Sequence, residues 1–410
     1  MPDSDPIPTL VWLDPEQVSL VRAVAERANL RIVAVGSPAR GRSRDLAESL
    51  GGQPIDDLRA ALSTTTNAAA AWLAAPGDFG AGSIPSDLEA IRAFRSRGSR
   101  IATSEPIPAS ALERAAGAWS AVFGGAAAAG AVGGGGGGGG VGGELLRFVP
   151  RTRLSRPVLE AAEVLDAFGP VRTVAFEAWS GRGEGSLGAR LLDAMDVIAW
   201  LLGEPETIDA SYIWPGKGVR DPGAIIAGDG SSGGGVAGAV GSGGVVTAGV
   251  GGALHKLPGE SLRDLHGDLT CNCRFADGRG AAVVLSDCAG RWNRSIALLG
   301  PGGRIRIYDD GFEWVAPDGR RIDASRGLGG LPLPPGADER TAATAGGALP
   351  GRSAAVFADA LHRYFTGREA TPAPIDEPRV LAMAGAALLS ARTGEAESPA
   401  TITRMAAITA

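Results

Sequence analysis

Apolar runs of strand length alternate with amphipathic stretches of helix length over the N-terminal part of the chain. The runs predict strands at residues 9–13, 30–35, 67–74 and 100–103. The intervening stretches predict helices at residues 14–28, 44–50, 56–62, 86–97 and 109–123. Strands that alternate with helices of this length indicate parallel βαβ units. This part of the chain is therefore predicted to form a doubly wound parallel α/β sheet.

From residue 145 onward the pattern changes to strands that follow one another directly. Helices are predicted at residues 157–167, 185–203, 352–365 and 378–393. Strands are predicted at residues 171–179, 207–214, 268–275, 281–286, 295–299 and 304–308. Turn signals such as Asp277-Gly278 link the later strands as hairpins. We expect an α+β domain with a large, mostly antiparallel open sheet and helices on one face.

Two glycine tracts divide the chain, which has 410 residues and 63 glycines. The tracts cover residues 124–143 and 216–252, and such tracts bury too little apolar surface to form a core. We therefore predict a first domain at 1–124, a linker at 125–143 and a second domain at 144–410. Residues 216–252 are expected to form a glycine-rich insertion in the second domain.

Composition and charge narrow the classes of function. The net charge of −6 does not favour binding to nucleic acid or to an anionic membrane, which a positively charged protein would attract. No apolar stretch reaches the length of a membrane span, and the N-terminus lacks signal-peptide features, so we expect a cytoplasmic protein. Cys271, Cys273 and Cys288 are expected to be small buried strand residues, and no cluster of Cys and His predicts a metal site.

The helix predicted at 185–203 carries two carboxylates, Asp193 and Asp196, on an otherwise apolar helix. Because the two residues are three positions apart, both side chains project from one face. The pattern leaves two interpretations open, namely acid–base chemistry or simply the solvated side of the helix.

Several stretches together resemble the Gfo/Idh/MocA family of two-domain, NAD(P)-dependent sugar oxidoreductases. They are the helix that ends in Trp200-Leu201-Leu202-Gly203-Glu204, the hairpin at 299–303, the helix end at 390–394 and the segment 151–171. The resemblance implies a Rossmann-like first domain, NAD or NADP as cofactor and a small carbohydrate-like ligand. It also implies a homo-oligomer, or pairing with a homologue, through the open sheet.

The family's cofactor motif is replaced in this chain. Its Gly-x-Gly-x-x-Gly turn aligns with residues 13–18, Leu-Asp-Pro-Glu-Gln-Val, which contain no glycine. Its ribose-binding acid aligns with Ser37 or the glycine before it. The positions that the resemblance assigns to the cofactor are therefore Leu13, Asp14 and Ser37. Asp14 would place a negative charge where a diphosphate binds.

The family's catalytic residues are also replaced. The lysine of its Glu-Lys-Pro motif aligns with Glu105. On its catalytic helix the histidine position carries Asp193, and Asp196 keeps the final aspartate. By resemblance the candidate catalytic residues are Glu105, Asp193 and Asp196. Three carboxylates without a cationic partner are expected to repel one another.

Three hypotheses remain open from the sequence. In the first, the protein no longer performs the dehydrogenase reaction and acts as a binding or assembly partner. In the second, it is a divergent but active NAD(P)-dependent oxidoreductase acting on a sugar or polyol. In the third, Glu105, Asp193 and Asp196 catalyse a hydrolysis or an elimination.

Histidines and arginines outside the motifs are expected to have structural roles. His255 and His266 are expected to be solvated beside the insertion, whereas His362 is expected to be half-buried and hydrogen-bonded. Two roles are open for Arg151 and Arg153, contact with an anionic substrate or salt bridges at the surface or between the domains, and we expect the salt bridges.

Overall fold

The computed structural model describes residues 5–116, 119, 146–214, 258–263, 265–290, 292–326, 351–367 and 375–409. The predicted linker 125–143 and the predicted insertion 216–252 lie outside these residues. Among the described helices, none has the length and hydropathy to cross a membrane.

The N-terminal sheet is parallel throughout, as the alternating pattern predicts. Its strands, among the described residues, are β1 (Ile7–Trp12), β2 (Leu30–Gly36), β3 (Gln53–Ile55), β4 (Ala70–Leu73), β5 (Arg100–Thr103) and β6 (Arg147–Phe148). They are arranged in the order β3-β2-β1-β4-β5-β6. The order reverses between β1 and β4, so a crevice forms at the carboxyl ends of these two strands, where ligands of such sheets bind.

Helices cover both faces of this sheet. They are α1 (Val18–Arg27), α2 (Ser43–Leu50), α3 (Leu58–Thr64), α4 (Ile84–Arg95) and α5 (Ala111–Ala115). Two apolar clusters form, one on each side of the sheet. The predicted helix 109–123 is described only as far as α5, apart from the single residue Trp119, which is buried.

The C-terminal sheet is mostly antiparallel. Its strands, within the described part of the chain, are β7 (Thr173–Trp179), β8 (Thr207–Ile213), β9 (Asp268–Arg274), β10 (Gly280–Ser286), β11 (Asn293–Gly300), β12 (Gly303–Tyr308), β13 (Gly311–Val315) and β14 (Arg321–Arg326). The order is β14-β13-β12-β11-β7-β10-β9-β8, and only the β7–β10 pair is parallel among them. The sequence pattern did not predict β13 and β14.

The remaining helices pack on one face of this sheet or on the first domain. They are α6 (Arg156–Glu163), α7 (Leu165–Phe168), α8 (Leu187–Leu202), α9 (Gly351–Thr366), α10 (Glu377–Thr393) and α11 (Pro399–Thr409). Helices α8 and α10 contact each other, and both belong to the apolar core beneath the sheet. Helix α8 is buried on nearly all sides, which excludes the interpretation that Asp193 and Asp196 mark a solvated face.

Two segments that the pattern assigns to the second domain contact the first. Strand β6 adds to the edge of the N-terminal sheet beside β5. Helix α9 packs on α1, and the rings of Phe357 and Trp72 have centroids 5.3 Å apart. The chain thus returns to the first domain after building the second sheet. The domain boundaries themselves stay a prediction.

Candidate functional site

A cleft of about 530 Å³ lies between the crevice of the N-terminal sheet and the second domain. The first domain contributes the turn after β1 and the segments after β4 and β5. The second domain contributes the residues just before α8, the segment before β9 and the end of β10. Its polar lining comprises Asp14, Glu16, Gln17, Arg42, Glu105, Ser186, Arg263, His266 and Asp287.

The turn between β1 and α1 is closed by its own hydrogen bonds. The Gln17 side chain accepts a bond from the Asp14 amide at 3.1 Å and donates one to the Ala74 carbonyl at 3.2 Å. The Gln17 amide donates to the Asp14 carbonyl at 2.9 Å. Residues 15–17 therefore form a single 3₁₀ turn that leads into α1, with Asp14, Pro15 and Glu16 exposed at the cleft.

The second domain packs directly on this turn. A short 3₁₀ helix at residues 182–184 contacts the turn at 15–17. The approach is so close that a Cβ on Gly183 would lie 2.7 Å from the Glu16 carbonyl oxygen. Backbone of the second domain thus lies against the place where glycine-rich turns of this fold admit a diphosphate.

The residues at the turn do not fit the diphosphate of a dinucleotide. Such a site needs backbone amides that point at the phosphates and no side chains between. Here Pro15 lacks an N–H, the Asp14 amide is bonded to Gln17, and Asp14 and Glu16 bring two carboxylates to the cleft. A dianionic group would meet charge of its own sign.

The other two positions aligned with the cofactor motif do not line the main cleft. The Leu13 side chain is fully buried, and its amide donates to the Gly36 carbonyl at 3.0 Å. Ser37 lines a second cleft of about 650 Å³ at the ends of β1 to β3, with Arg40 and Arg59. Its hydroxyl accepts a bond from the Ala39 amide at 3.1 Å.

Glu105 lines the main cleft and links the two domains. Its carboxylate accepts bonds from the Ser186 amide, at 3.1 Å, and from the Ser186 hydroxyl. Burial raises the pKa of Glu105, and the two bonds from Ser186 and the charges of Arg151 and Arg190 oppose that rise. The side chain is therefore held in place from the second domain.

Asp193 and Asp196 lie inside the second domain and do not line the cleft. Asp193 accepts bonds from the Thr152 amide, at 3.0 Å, and from the Thr152 hydroxyl. Asp196 pairs with Arg153 at 2.7 Å, with both side chains buried. Burial raises the pKa of Asp196 to about 6, against the opposing charge of Arg153. The structure thus separates these two residues from Glu105.

The expectation that these carboxylates lack cationic partners was wrong, because buried arginines surround them. Arg151 donates to the Glu184 carbonyl and lies over the Phe357 ring, 5.0 Å from its centroid. Arg190 donates to the Ser180 hydroxyl and to backbone carbonyls, and burial lowers its pKa to about 10. The contacts of Arg190 join α8 to the end of β10.

Sequence reasoning missed the pair formed by His266 and Asp287. The imidazole Nδ1 lies 2.7 Å from the Asp287 carboxylate, which is fully buried, whereas the His266 side chain is 38% exposed at the cleft. The prediction that His266 is merely solvated was therefore wrong. A signal existed, since the predicted hairpin places the start of β9 beside the end of β10, and the two residues flank these ends.

The other histidine and cysteine expectations had mixed outcomes. His362 is half-buried, with Nδ1 at 2.8 Å from the Ala28 carbonyl, as expected, while His255 lies outside the described residues. Cys271 and Cys273 are buried strand residues, as expected. The expectation was wrong for Cys288, which lies after the end of β10 and is exposed. Within the described ranges, no cluster of three or more His, Cys, Asp or Glu side chains could hold a metal ion.

No protein-family model and no curated protein matches the chain. Among solved structures, a levoglucosan dehydrogenase in complex with NADH and L-sorbose is similar over 97% of this chain and 100% of its own, with 14% identity and a TM-score of 0.58. An oxidoreductase from Agrobacterium radiobacter, in complex with NAD+, L-tartaric acid and magnesium, covers the same shares at 14% identity and a TM-score of 0.57.

A myo-inositol dehydrogenase from Corynebacterium glutamicum is similar over 96% of this chain and 98% of its own, at 10% identity and a TM-score of 0.54. The protein therefore has the fold of two-domain dehydrogenases, with a Rossmann-like first domain. In particular, the fold is that of Gfo/Idh/MocA-type oxidoreductases, as the sequence resemblance implied.

Proposed function

We propose that this chain is a divergent Gfo/Idh/MocA member that has lost the dinucleotide-dependent dehydrogenase reaction. It keeps the interdomain cleft as a binding site for a small, carbohydrate-like ligand. The single observation that carries the proposal is the turn after β1, where Asp14, Pro15 and Glu16 replace a glycine cradle. Hydride transfer needs a nicotinamide held against the substrate, so a chain that cannot seat the diphosphate lacks the hydride acceptor.

The experiment is a titration of the purified chain with NAD+, NADH, NADP+ and NADPH by isothermal calorimetry. We expect no saturable binding in the micromolar range for any of the four forms. Saturable micromolar binding of one form would refute the proposal. A variant that combines Asp14→Ala, Pro15→Gly and Glu16→Ala serves as the matched comparison, because it removes both carboxylates and restores one backbone N–H.

A second candidate function is a divergent but active NAD(P)-dependent oxidoreductase acting on a sugar or polyol. The cleft at the ends of β1 to β3 favours it, because Ser37 stands where an NAD enzyme has an acid, and Arg40 lies beside it. In this fold such an arginine accommodates a 2′-phosphate. The second candidate predicts that NADP(H) binds and that Arg40→Ala lowers its affinity more than that of NAD(H).

Self-association through the open face of the C-terminal sheet is part of the proposal. Val284, Leu299 and Tyr308 are exposed there, which supports a contact with another chain. Light scattering after size-exclusion chromatography measures the mass in solution. Charged substitutions at Val284 and Leu299 are expected to give the monomer. Location in the cytoplasm stays a prediction.

A further inference from the structure

The pair formed by His266 and Asp287 is held from several sides. The Asp287 carboxylate accepts a bond from the Gly267 amide at 2.8 Å and one from the Cys288 thiol at 3.2 Å, in addition to its contact with His266. The Asp287 amide donates to the Gly267 carbonyl at 3.1 Å. The Tyr212 hydroxyl donates to the His266 carbonyl. Both residues are thus fixed in position at the rim of the cleft.

The surroundings of Asp287 determine which proton the imidazole carries. Burial alone would raise the pKa of Asp287, but the bonds from His266, Gly267 and Cys288 outweigh it and lower the pKa. The carboxylate is therefore ionised at neutral pH and can only accept. It follows that His266 Nδ1 carries a hydrogen and that, in the neutral ring, Nε2 holds the lone pair.

Nε2 is separated from Nδ1 by one ring carbon and points away from Asp287, and His266 lines the same cleft as Glu105 and Ser186. An imidazole that is oriented by a buried carboxylate is the arrangement used by general bases. The charged and titratable groups around the pair are Tyr212, Asp268, Cys288, Arg190, Arg263 and Glu105.

We propose that His266 is a catalytic base of the cleft, positioned by Asp287, and that it transfers protons on hydroxy-carbonyl sugars or sugar acids. The proposal goes beyond ligand binding and rests on the proposed function only in assigning a carbohydrate-like ligand to this cleft. It adds a redox-neutral activity that needs no dinucleotide.

The step balances without a co-reactant. His266 Nε2 takes the proton from the carbon next to the carbonyl, and that C–H bond breaks. Its electron pair forms the carbon–carbon double bond of an enediolate, while the carbonyl oxygen takes the negative charge. Return of a proton from the imidazolium to the same carbon gives back the substrate or its epimer. Return to the former carbonyl carbon, together with transfer of the neighbouring hydroxyl proton to the former carbonyl oxygen, gives the isomer. In heavy water the returning atom is deuterium.

The experiment incubates the full chain with dihydroxyacetone, D-fructose and D-glucuronate in buffered D₂O and follows carbon-bound deuterium by NMR. We expect incorporation above the protein-free rate into at least one probe. His266→Gln is expected to reduce it by about 100-fold or more, the usual contribution of a general base. His362→Gln is the matched control, because His362 is also half-buried but lies on α9, hydrogen-bonded to α1.

Asp287→Asn tests the positioning role. Without the carboxylate the imidazolium is less stable, so the rise of the exchange rate with pH should move to lower pH, an effect that a purely structural role would not cause.

Circular dichroism and thermal unfolding show that each variant is folded. Exchange that is absent from all three probes, or that survives in His266→Gln, overturns the proposal. Either outcome leaves the nucleotide titration, and hence the proposed function, unaffected.

Discussion

The Ser186 hydroxyl connects the two domains, and its removal is the sharpest test of how the cleft is held. The hydroxyl accepts a bond from the Ala189 amide at 3.0 Å, which caps α8, and donates to Glu105 of the first domain. Ser186→Ala removes both bonds while leaving the Ser186 amide bonded to Glu105 at 3.1 Å. The mutation therefore weakens the contact without deleting it.

The expected loss follows from these two bonds. An N-cap serine contributes about 1 kcal/mol. A hydrogen bond to a charged group contributes about 1.5–3 kcal/mol. We therefore expect Ser186→Ala to lower the free energy of unfolding by about 2.5–4 kcal/mol. Ser110→Ala is the matched control, because the Ser110 hydroxyl caps α5 by accepting from the Glu113 amide at 3.1 Å and is expected to cost about 1 kcal/mol.

The assay is urea unfolding followed by tryptophan fluorescence and by circular dichroism. Coincident transitions for the two signals show that the domains unfold together, so that one free energy describes both. Equal losses for Ser186→Ala and Ser110→Ala would refute the reasoning, because the bond to Glu105 would then contribute nothing. A loss in Ser186→Ala that exceeds the control by more than about 1 kcal/mol supports it.

Two further predictions concern α8. Gly188→Ala should destabilise the protein despite the better helix propensity of alanine, because the new Cβ would lie 2.0 Å from the Leu262 carbonyl oxygen. Gly385→Ala is the control, because its Cβ would meet only the Ile402 side chain, at 3.1 Å, and it should be tolerated. Thermal unfolding measures both variants. Burial raises the pKa of Asp196 to about 6 in the folded protein, from an ordinary value of 3.8. Between these two pH values the folded state therefore binds more protons than the unfolded state. The contribution of Asp196 to the free energy of unfolding then falls as the pH rises through this window, by at most about 3 kcal/mol. Asp196→Asn should lack this slope when urea unfolding is measured from pH 4 to 7, and an unchanged slope would contradict the assignment.

Local patterns in the sequence determined most of the elements of the fold. Strand β5 lies where the apolar run predicts it, and β1, β2 and α8 differ from their predicted bounds by a few residues. Apolar residues that recur every two positions in a strand, or every 3.6 positions in a helix, show which face of the element is buried. This pattern depends only on residues close together in the chain. Strands β13 and β14 were missed, because β14 is the edge strand of the sheet and is mostly exposed, and its neighbour β13 has three half-exposed side chains in a row, so that neither gives a clear alternation.

The absence of a glycine-rich turn after β1 was also readable from the sequence. Residues 13–18 contain no glycine, and Pro15 lacks an N–H in any conformation, so the poor fit to a diphosphate follows from covalent chemistry. What the sequence did not reveal is that residues 182–184 of the second domain cover this turn. That contact joins segments far apart in the chain, which local patterns do not encode.

The sequence by itself therefore determined the order of elements, the two-domain fold and the absence of glycine from residues 13–18, because each depends on residue types and spacings within one segment. Only the tertiary structure decided which polar groups meet. It buried Asp193 against Thr152 and Asp196 against Arg153, and it placed His266 on Asp287 at the cleft. The roles of ionisable groups depend on their neighbours in space and on burial, and both are set by packing between segments distant in the chain.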